Sequence, residues 1–138
     1  MIEREVEREV ERDREPVLLV DTRCATLRRL GDGLHRVGHT VIEADSFFAA
    51  KHSLATHHPA VIVTNVRLGA FNGLHLVHLA RAVRPDLCAI VIDSTADALL
   101  QDEADRVGAT YLIEPVHAPA LIRIIATVLG RDAKAQGV

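Results

Sequence analysis

Short aliphatic runs alternate with longer amphipathic stretches along most of the chain. Val17 to Asp21, Val-Leu-Leu-Val-Asp, reads as a strand that ends in an acid. Leu27, Leu30, Leu34 and Val37 then recur at helical spacing. Gly31 and Gly33 fall inside that helix, where each costs about 1 kcal/mol against Ala, and close packing is the one visible reason for them. Thr40 to Ala44 reads as a second strand, Ser46 as an N-cap, and a helix runs on to about His57. Ala60 to Thr64, Ala-Val-Ile-Val-Thr, has the β-branched pattern of a strand buried on both faces. Asn65 stands where that strand ends, and Arg67 to Asn72 reads as a loop. Gly73 lets the next helix, Leu74 to Val83, start close against it. Ala89 to Ile92 and Thr110 to Ile113 are the remaining strands. Ala96 to Val107 and Pro119 to Leu129 are the remaining helices, with Gly130 as the final stop. Strand and helix thus alternate five times, and right-handed crossovers turn that order into a doubly wound parallel sheet of the α/β class.

Residues 1–15 stand apart as a charge-dense extension, before a domain over 16–130 and a tail over 131–138. In the extension opposite charges meet at i,i+3 and like charges at i,i+4, so the helix-supporting terms partly cancel. Ile2, Val6 and Val10 leave a thin apolar stripe, which suits either a solvated helix or a short docking helix. Apolar residues make up 49% of the chain and aromatics only 3%, so the core is aliphatic and favours buried parallel strands over a β-sandwich. A net charge of −3 provides no basic field for nucleic acid. No apolar run approaches the roughly 18 residues that span a bilayer, and the N-terminus lacks the apolar core of a signal peptide. Cys24 and Cys88 are isolated thiols without metal spacing. Together these features point to a reduced, cytoplasmic setting with neither membrane nor nucleic acid as partner.

Chemistry in a parallel α/β sheet gathers at the carboxyl ends of the strands, which puts Asn65 at the floor of any site. The stretch Ala60 to Leu74 resembles the third strand and following loop of a response-regulator receiver domain, of the CheY-like kind. That family reads strand, Asp, two residues, Leu-Pro, two residues, Asp-Gly. Counting back eight residues from Gly73 sets Asn65 on the family's phosphoacceptor Asp. The resemblance covers about Pro16 to Gly130 and implies a flavodoxin-like (βα)5 sheet with strand order 2-1-3-4-5.

In receivers two acids after the first strand and the acceptor Asp hold Mg²⁺, and the acceptor attacks the phosphoryl group. A hydroxyl residue after the fourth strand and a Lys after the fifth then bind the phosphoryl oxygens. Carried over residue by residue, the first acid is kept as Asp21 and the second falls on Thr22, a poorer Mg²⁺ ligand. The acceptor falls on Asn65, the hydroxyl on Ser94 or Thr95, and the Lys on Glu114. Pro115 follows Glu114 as the family expects, so the Glu114–Pro115 bond is expected to be cis. Tyr111 matches the family's aromatic switch, which turns inward when the hydroxyl residue moves; a strand Tyr with an exposed hydroxyl is the other reading. Leu68-Gly69 stands where Leu-Pro is usual, which implies a freer loop.

With no nucleophile, a weakened metal site and a carboxylate in place of an ammonium, three parts of the phosphotransfer reaction are missing together. The resemblance therefore implies a degenerate pseudo-receiver: a non-catalytic, phosphorylation-independent signalling module of a two-component or phosphorelay system. It would need no cofactor and would act through protein contacts. The rival reading is a metal or small-ligand sensor built on an Asp21/Glu114 pocket. Asp21, Asp93 and Glu114 could converge on a cation, or be held by Arg23 or Arg67 in ion pairs. His75 and His78 share a helix face as ligands can, but they read more simply as its solvated side, and His57-His58 as an exposed loop. Phe47 and Phe48 cannot both point inward easily, so one of them hints at a contact surface. No Gly-rich phosphate loop, nucleophile–base pair or cofactor fingerprint supports an enzyme.

The last helix carries Leu121, Ile122, Ile124, Ile125, Val128 and Leu129. At about 100° per residue they span an arc of about 160°, and a helix laid on a sheet needs little more than about 100°. The surplus edge is Ile124, beside the fifth strand and an acidic fourth helix with Asp97, Asp102, Glu103 and Asp105. In receivers the face of helix four, strand five and helix five is the usual partner surface. A homodimer or protein partner is expected there, with Ile124 central and the acids at the rim; a wide core stripe on a monomer is the alternative.

Overall fold

The computed structural model describes residues 15–135, with side chains as far as Gly130; the charged extension before Glu15 lies outside the described residues. The strands are β1 (Val17–Val20), β2 (Val41–Ala44), β3 (Val61–Asn65), β4 (Cys88–Asp93) and β5 (Thr110–Ile113). The helices are α1 (Ala25–Arg36), α2 (Phe47–His57), α3 (Gly73–Val83), α4 (Ala98–Arg106) and α5 (Ala118–Ala135). All five strands run parallel in one sheet, in the order β2-β1-β3-β4-β5. This is the doubly wound architecture that the alternation of elements implies, with the flavodoxin-like strand order that the resemblance implies.

The period of two along each strand sorts the core into two layers. Leu18, Val20, Ile62 and Val91 face α2, α3 and α4. Val17, Leu19, Val61, Val63, Ile90 and Ile92 face α1 and α5. Each fully buried aliphatic side chain contributes about 1.5–3 kcal/mol, so the layers specify which helix lies on which side. Gly31 and Gly33 serve close packing, as expected. A Cβ on Gly33 would run into the Ile122 side chain of α5, and one on Gly31 would press on Leu19 and Glu43. Ser46 caps α2 by accepting from the Ala49 amide at 3.1 Å.

Four sequence expectations change. Val37 is exposed rather than buried, because α1 stops at Arg36 and Gly38, at φ +91°, turns the chain away. Gly130 does not end the last helix, which runs on to Ala135; one interior glycine costs only about 1 kcal/mol. Helix α4 starts at Ala98, since the Asp97 side chain accepts from the Leu99 and Leu100 amides and caps it there. The stretch 67–72 is not a free loop: Arg67–Leu68 pairs antiparallel with Phe71–Asn72. Gly69, at φ +62°, makes the turn, a conformation closed to the family's proline. This ribbon delivers the chain to Gly73, where a Cβ would strike the Asn65 carbonyl, so α3 starts hard against the end of β3 as expected.

Candidate functional site

Asp21 and Asn65 meet at the carboxyl edge of the sheet, from the neighbouring strands β1 and β3. Asp21 leaves β1 with φ +75° in a tight turn: its carbonyl accepts from the Cys24 amide, and its own amide donates to Ala44. The Asn65 Nδ2 at the end of β3 donates to Asp21 Oδ2 at 2.8 Å. Arg23 Nε lies 3.6 Å from the other Asp21 oxygen. The amide of Asn65 thus supplies the donor that a second carboxylate here would have to obtain from a cation or a proton. Thr22 sits half-buried in the same turn.

Beyond Asn65 opens a cavity of about 170 Å³ lined by Cys24, Asn65, Arg67, Asp93, Ser94 and Glu114, with Ile92 beneath. Asp93 is its most elaborated group. Its side chain is fully buried, and it accepts from the Tyr111 hydroxyl at 2.6 Å, Arg67 Nε at 3.2 Å and the Ser94 amide at 2.8 Å. Burial pushes the Asp93 carboxyl up, but the bonds from Tyr111 and Arg67, the Arg67 charge and the Ser94 amide outweigh it and hold the pKa below the ordinary carboxylate value. Burial and then the Asp93 carboxylate push the Tyr111 phenol up. The Tyr111 hydroxyl is turned in on Asp93 and also lies 3.3 Å from the Thr95 carbonyl. Ser94 and Thr95 are both exposed, and only Ser94 of the two lines the cavity. Sequence reasoning offered Arg67 as an ion-pair partner at this strand end and missed that Asp93 is buried and bonded to Tyr111. An acid closing an apolar strand, with Tyr111 on the neighbouring strand, was the available signal.

Glu114 follows β5 before a cis bond to Pro115, as expected. It accepts from Thr26 Oγ1 at 3.0 Å and Cys24 Sγ at 3.4 Å. Helix α1 has no side-chain cap at Cys24 and no acid in its first turn, so Glu114 supplies the negative charge that its N-terminus favours. Asp21 and Glu114 line two different cavities. Asp21 pairs with Arg23 and Asp93 with Arg67, and among the described residues no group of three His, Cys, Asp or Glu is placed to hold a metal ion. His75 and His78 are exposed, as are His57, in the last turn of α2, and His58, its C-cap.

Comparison with known proteins places this geometry. The chain is 32% identical over 111 residues to the response regulator protein FleR of Pseudomonas aeruginosa, covering 80% of this chain and 24% of FleR. It is 32% identical over 103 residues to the photosynthetic apparatus regulatory protein RegA of Cereibacter sphaeroides, covering 74% of this chain and 56% of RegA. The chain thus spans about a quarter of the one relative and a little over half of the other. No family model matches. Among solved structures, a CheY-like receiver domain protein from Methanospirillum hungatei superposes with a TM-score of 0.78 at 21% identity, covering 88% of this chain and 98% of that one. The beryllofluoride-activated NtrC4 receiver domain, a dimer, superposes with a TM-score of 0.73 at 21% identity, covering 84% and 97%. The domain has the receiver fold, and its sequence is similar to that of a response regulator.

The buried Asp93 gives this domain a definite pH signature. Its folded pKa is lowered, so its contribution to stability is present above the unfolded value of about 4 and is lost as pH falls through the folded value. Tyr111 has the opposite sign: its folded pKa is raised, so its contribution is present below about 10 and is lost at higher pH. Urea unfolding across pH should show both limbs. Asp93→Asn should flatten the acid limb, and an unchanged acid limb would mean that Asp93 titrates as a free carboxylate. Among the described residues no helix is long and apolar enough to cross a membrane.

Proposed function

We propose that this receiver domain signals without phosphorylation, as a cytoplasmic protein-contact module of a two-component or phosphorelay system. The observation that carries the reading is the Asn65–Asp21 hydrogen bond: the end of β3 offers a neutral amide, already engaged, where an attacking carboxylate is required. Thr22 and Glu114 support it, one lacking charge for Mg²⁺ and the other serving the N-terminus of α1. Ser94 and Thr95 are left without a phosphoryl group to bind. Tyr111, held inward by Asp93 instead, takes one switch position without that group.

The working surface we infer is the face of α4, β5 and α5. Leu121, Ile125 and Leu129 supply the buried stripe of α5, while Ile124 is 53% exposed and borders a shallow cavity of about 310 Å³ with Arg123, Thr127 and Val128. Leu99 of α4 and Ile113 of β5 are exposed as well. Asp102, Glu103 and Asp105 are exposed on α4 and supply an acidic rim; Asp97 lies 3.7 Å from Arg67 and joins the rim to the site. The first occupant to test is a second copy, since Arg123 of one copy can meet the acids of the other; the NtrC4 receiver shows that this fold forms dimers. Ile124→Glu should weaken association at least about tenfold, the loss of a central contact, with an unchanged circular dichroism spectrum. Sedimentation of wild type and variant measures it. A variant that unfolds would assign Ile124 to the core, and a wild type that stays monomeric would leave the face to a different protein.

A further inference from the structure

The chain has three phenylalanines, and all of them gather at one place on the β2 side of the sheet, away from the α4-β5-α5 face. Phe47 and Phe71 stack with centroids 4.7 Å apart and planes 14° from parallel. Phe48 stands edge-on to both, 5.6 Å from Phe47 and 5.0 Å from Phe71. Only Phe47 is buried; Phe48 is 63% exposed and Phe71 41%. The core takes Phe47 but neither of the other two rings. Instead the Gly69 turn holds Phe71 up from the ribbon, and the first turn of α2 presents Phe48 toward it.

These rings wall a cavity of about 250 Å³ whose polar side carries Asp21, Asp45 and Arg23. Asp21 is engaged by Asn65 and Arg23. Asp45 is exposed and has no ion-pair partner among the described residues. The volume lies below the range of about 300–1,000 Å³ typical of small-molecule pockets, and suits one side chain. Ring faces carry negative charge density and attract cations. Of the basic side chains, a planar guanidinium can stack on a ring and bond a carboxylate at the same time.

We propose that the Phe47–Phe48–Phe71 cavity receives an arginine side chain from a partner protein, stacked on the exposed rings and paired with Asp45. This contact is separate from the α4-β5-α5 surface, so either can fail without the other. The probes are three capped tripeptides with Arg, Leu or Glu between two glycines, titrated into the ¹⁵N-labelled full chain. The arginine peptide should move the amides of residues 45–49 and 69–72, with millimolar affinity. The leucine peptide should bind at least about fivefold more weakly and the glutamate peptide not at all. Phe48→Ala, at an exposed position, should weaken the arginine peptide about two- to fivefold, and Asp45→Asn should weaken it too. Equal binding of the leucine peptide would make the cavity a plain apolar contact and overturn the proposal. Shifts elsewhere, no shifts, or the same shifts on raising protein concentration without peptide would overturn it as well, the last by making a second copy the occupant.

Discussion

Incubated with acetyl phosphate and Mg²⁺, the domain is expected to gain no phosphoryl mass. An aspartyl phosphate needs a free carboxylate facing a bound cation. Asn65 is neutral, Asp21 accepts its amide, and Asp93 is buried under Tyr111 and Arg67. Intact-mass measurement decides the matter, and an acid-labile adduct mapped to Asp21 or Asp93 would sink it. Asn65→Asp alone should not restore the reaction efficiently. It sets two carboxylates at the distance where Asn65 now donates, with Thr22 still adding no charge for the metal. Thr22→Asp, Asn65→Asp and Glu114→Lys together should restore much more. Glu114→Lys carries a cost, because it places a cation at the N-terminus of α1, unfavourable by about 0.3–1 kcal/mol, and removes the acceptor for Thr26 and Cys24. The comparison should therefore be made on folded fractions of equal stability. A normally phosphorylated single variant would show that one position, not three, blocks the chemistry.

Tyr111→Phe should lower stability by about 1.5–3 kcal/mol, the range for a hydrogen bond to a charged group. The ring stays and the packing stays; what is lost is the 2.6 Å donor to a carboxylate that no water reaches. Arg67→Ala should cost less, since Arg67 is more than half exposed, 57% by side chain, and its share is screened by solvent. Urea midpoints of the two variants, at unchanged slope, give the order. The Tyr111 variant should also lose the alkaline limb of the stability profile. A change below about 0.5 kcal/mol would mean that the inward Tyr111 is not held by Asp93 in solution.

The strands and the order of the fold were legible because burial leaves a one-dimensional trace. Ala60 to Val63 and Val17 to Val20 are aliphatic without interruption because helices cover both their faces, and Leu27, Leu30 and Leu34 repeat because one side of α1 meets the sheet. Gly73 announced a close approach because no other residue fits against the Asn65 carbonyl. Ile124 stood out as surplus to the buried arc, and it is exposed. Helix ends were read less well. Glycine is a weak stop when packing continues past it, so Gly130 was passed, while at Val37 a left-handed Gly38 did end the stripe.

The sequence by itself determined the sheet, its covering helices and the neutral residue at the end of β3. The partners of the polar side chains were decided only by the tertiary structure. Asn65 meets Asp21 across 44 residues, and Glu114 meets Thr26 across 88 and Cys24 across 90. Asp93 finds Tyr111 because β4 and β5 lie side by side in register. Three phenylalanines that look unrelated along the chain share one cavity because the Gly69 turn lifts Phe71 toward α2. Apolar periodicity records which face of an element is buried, since that depends on the element alone. A hydrogen bond or a ring contact depends on where two elements cross, and that position is set by packing the whole core.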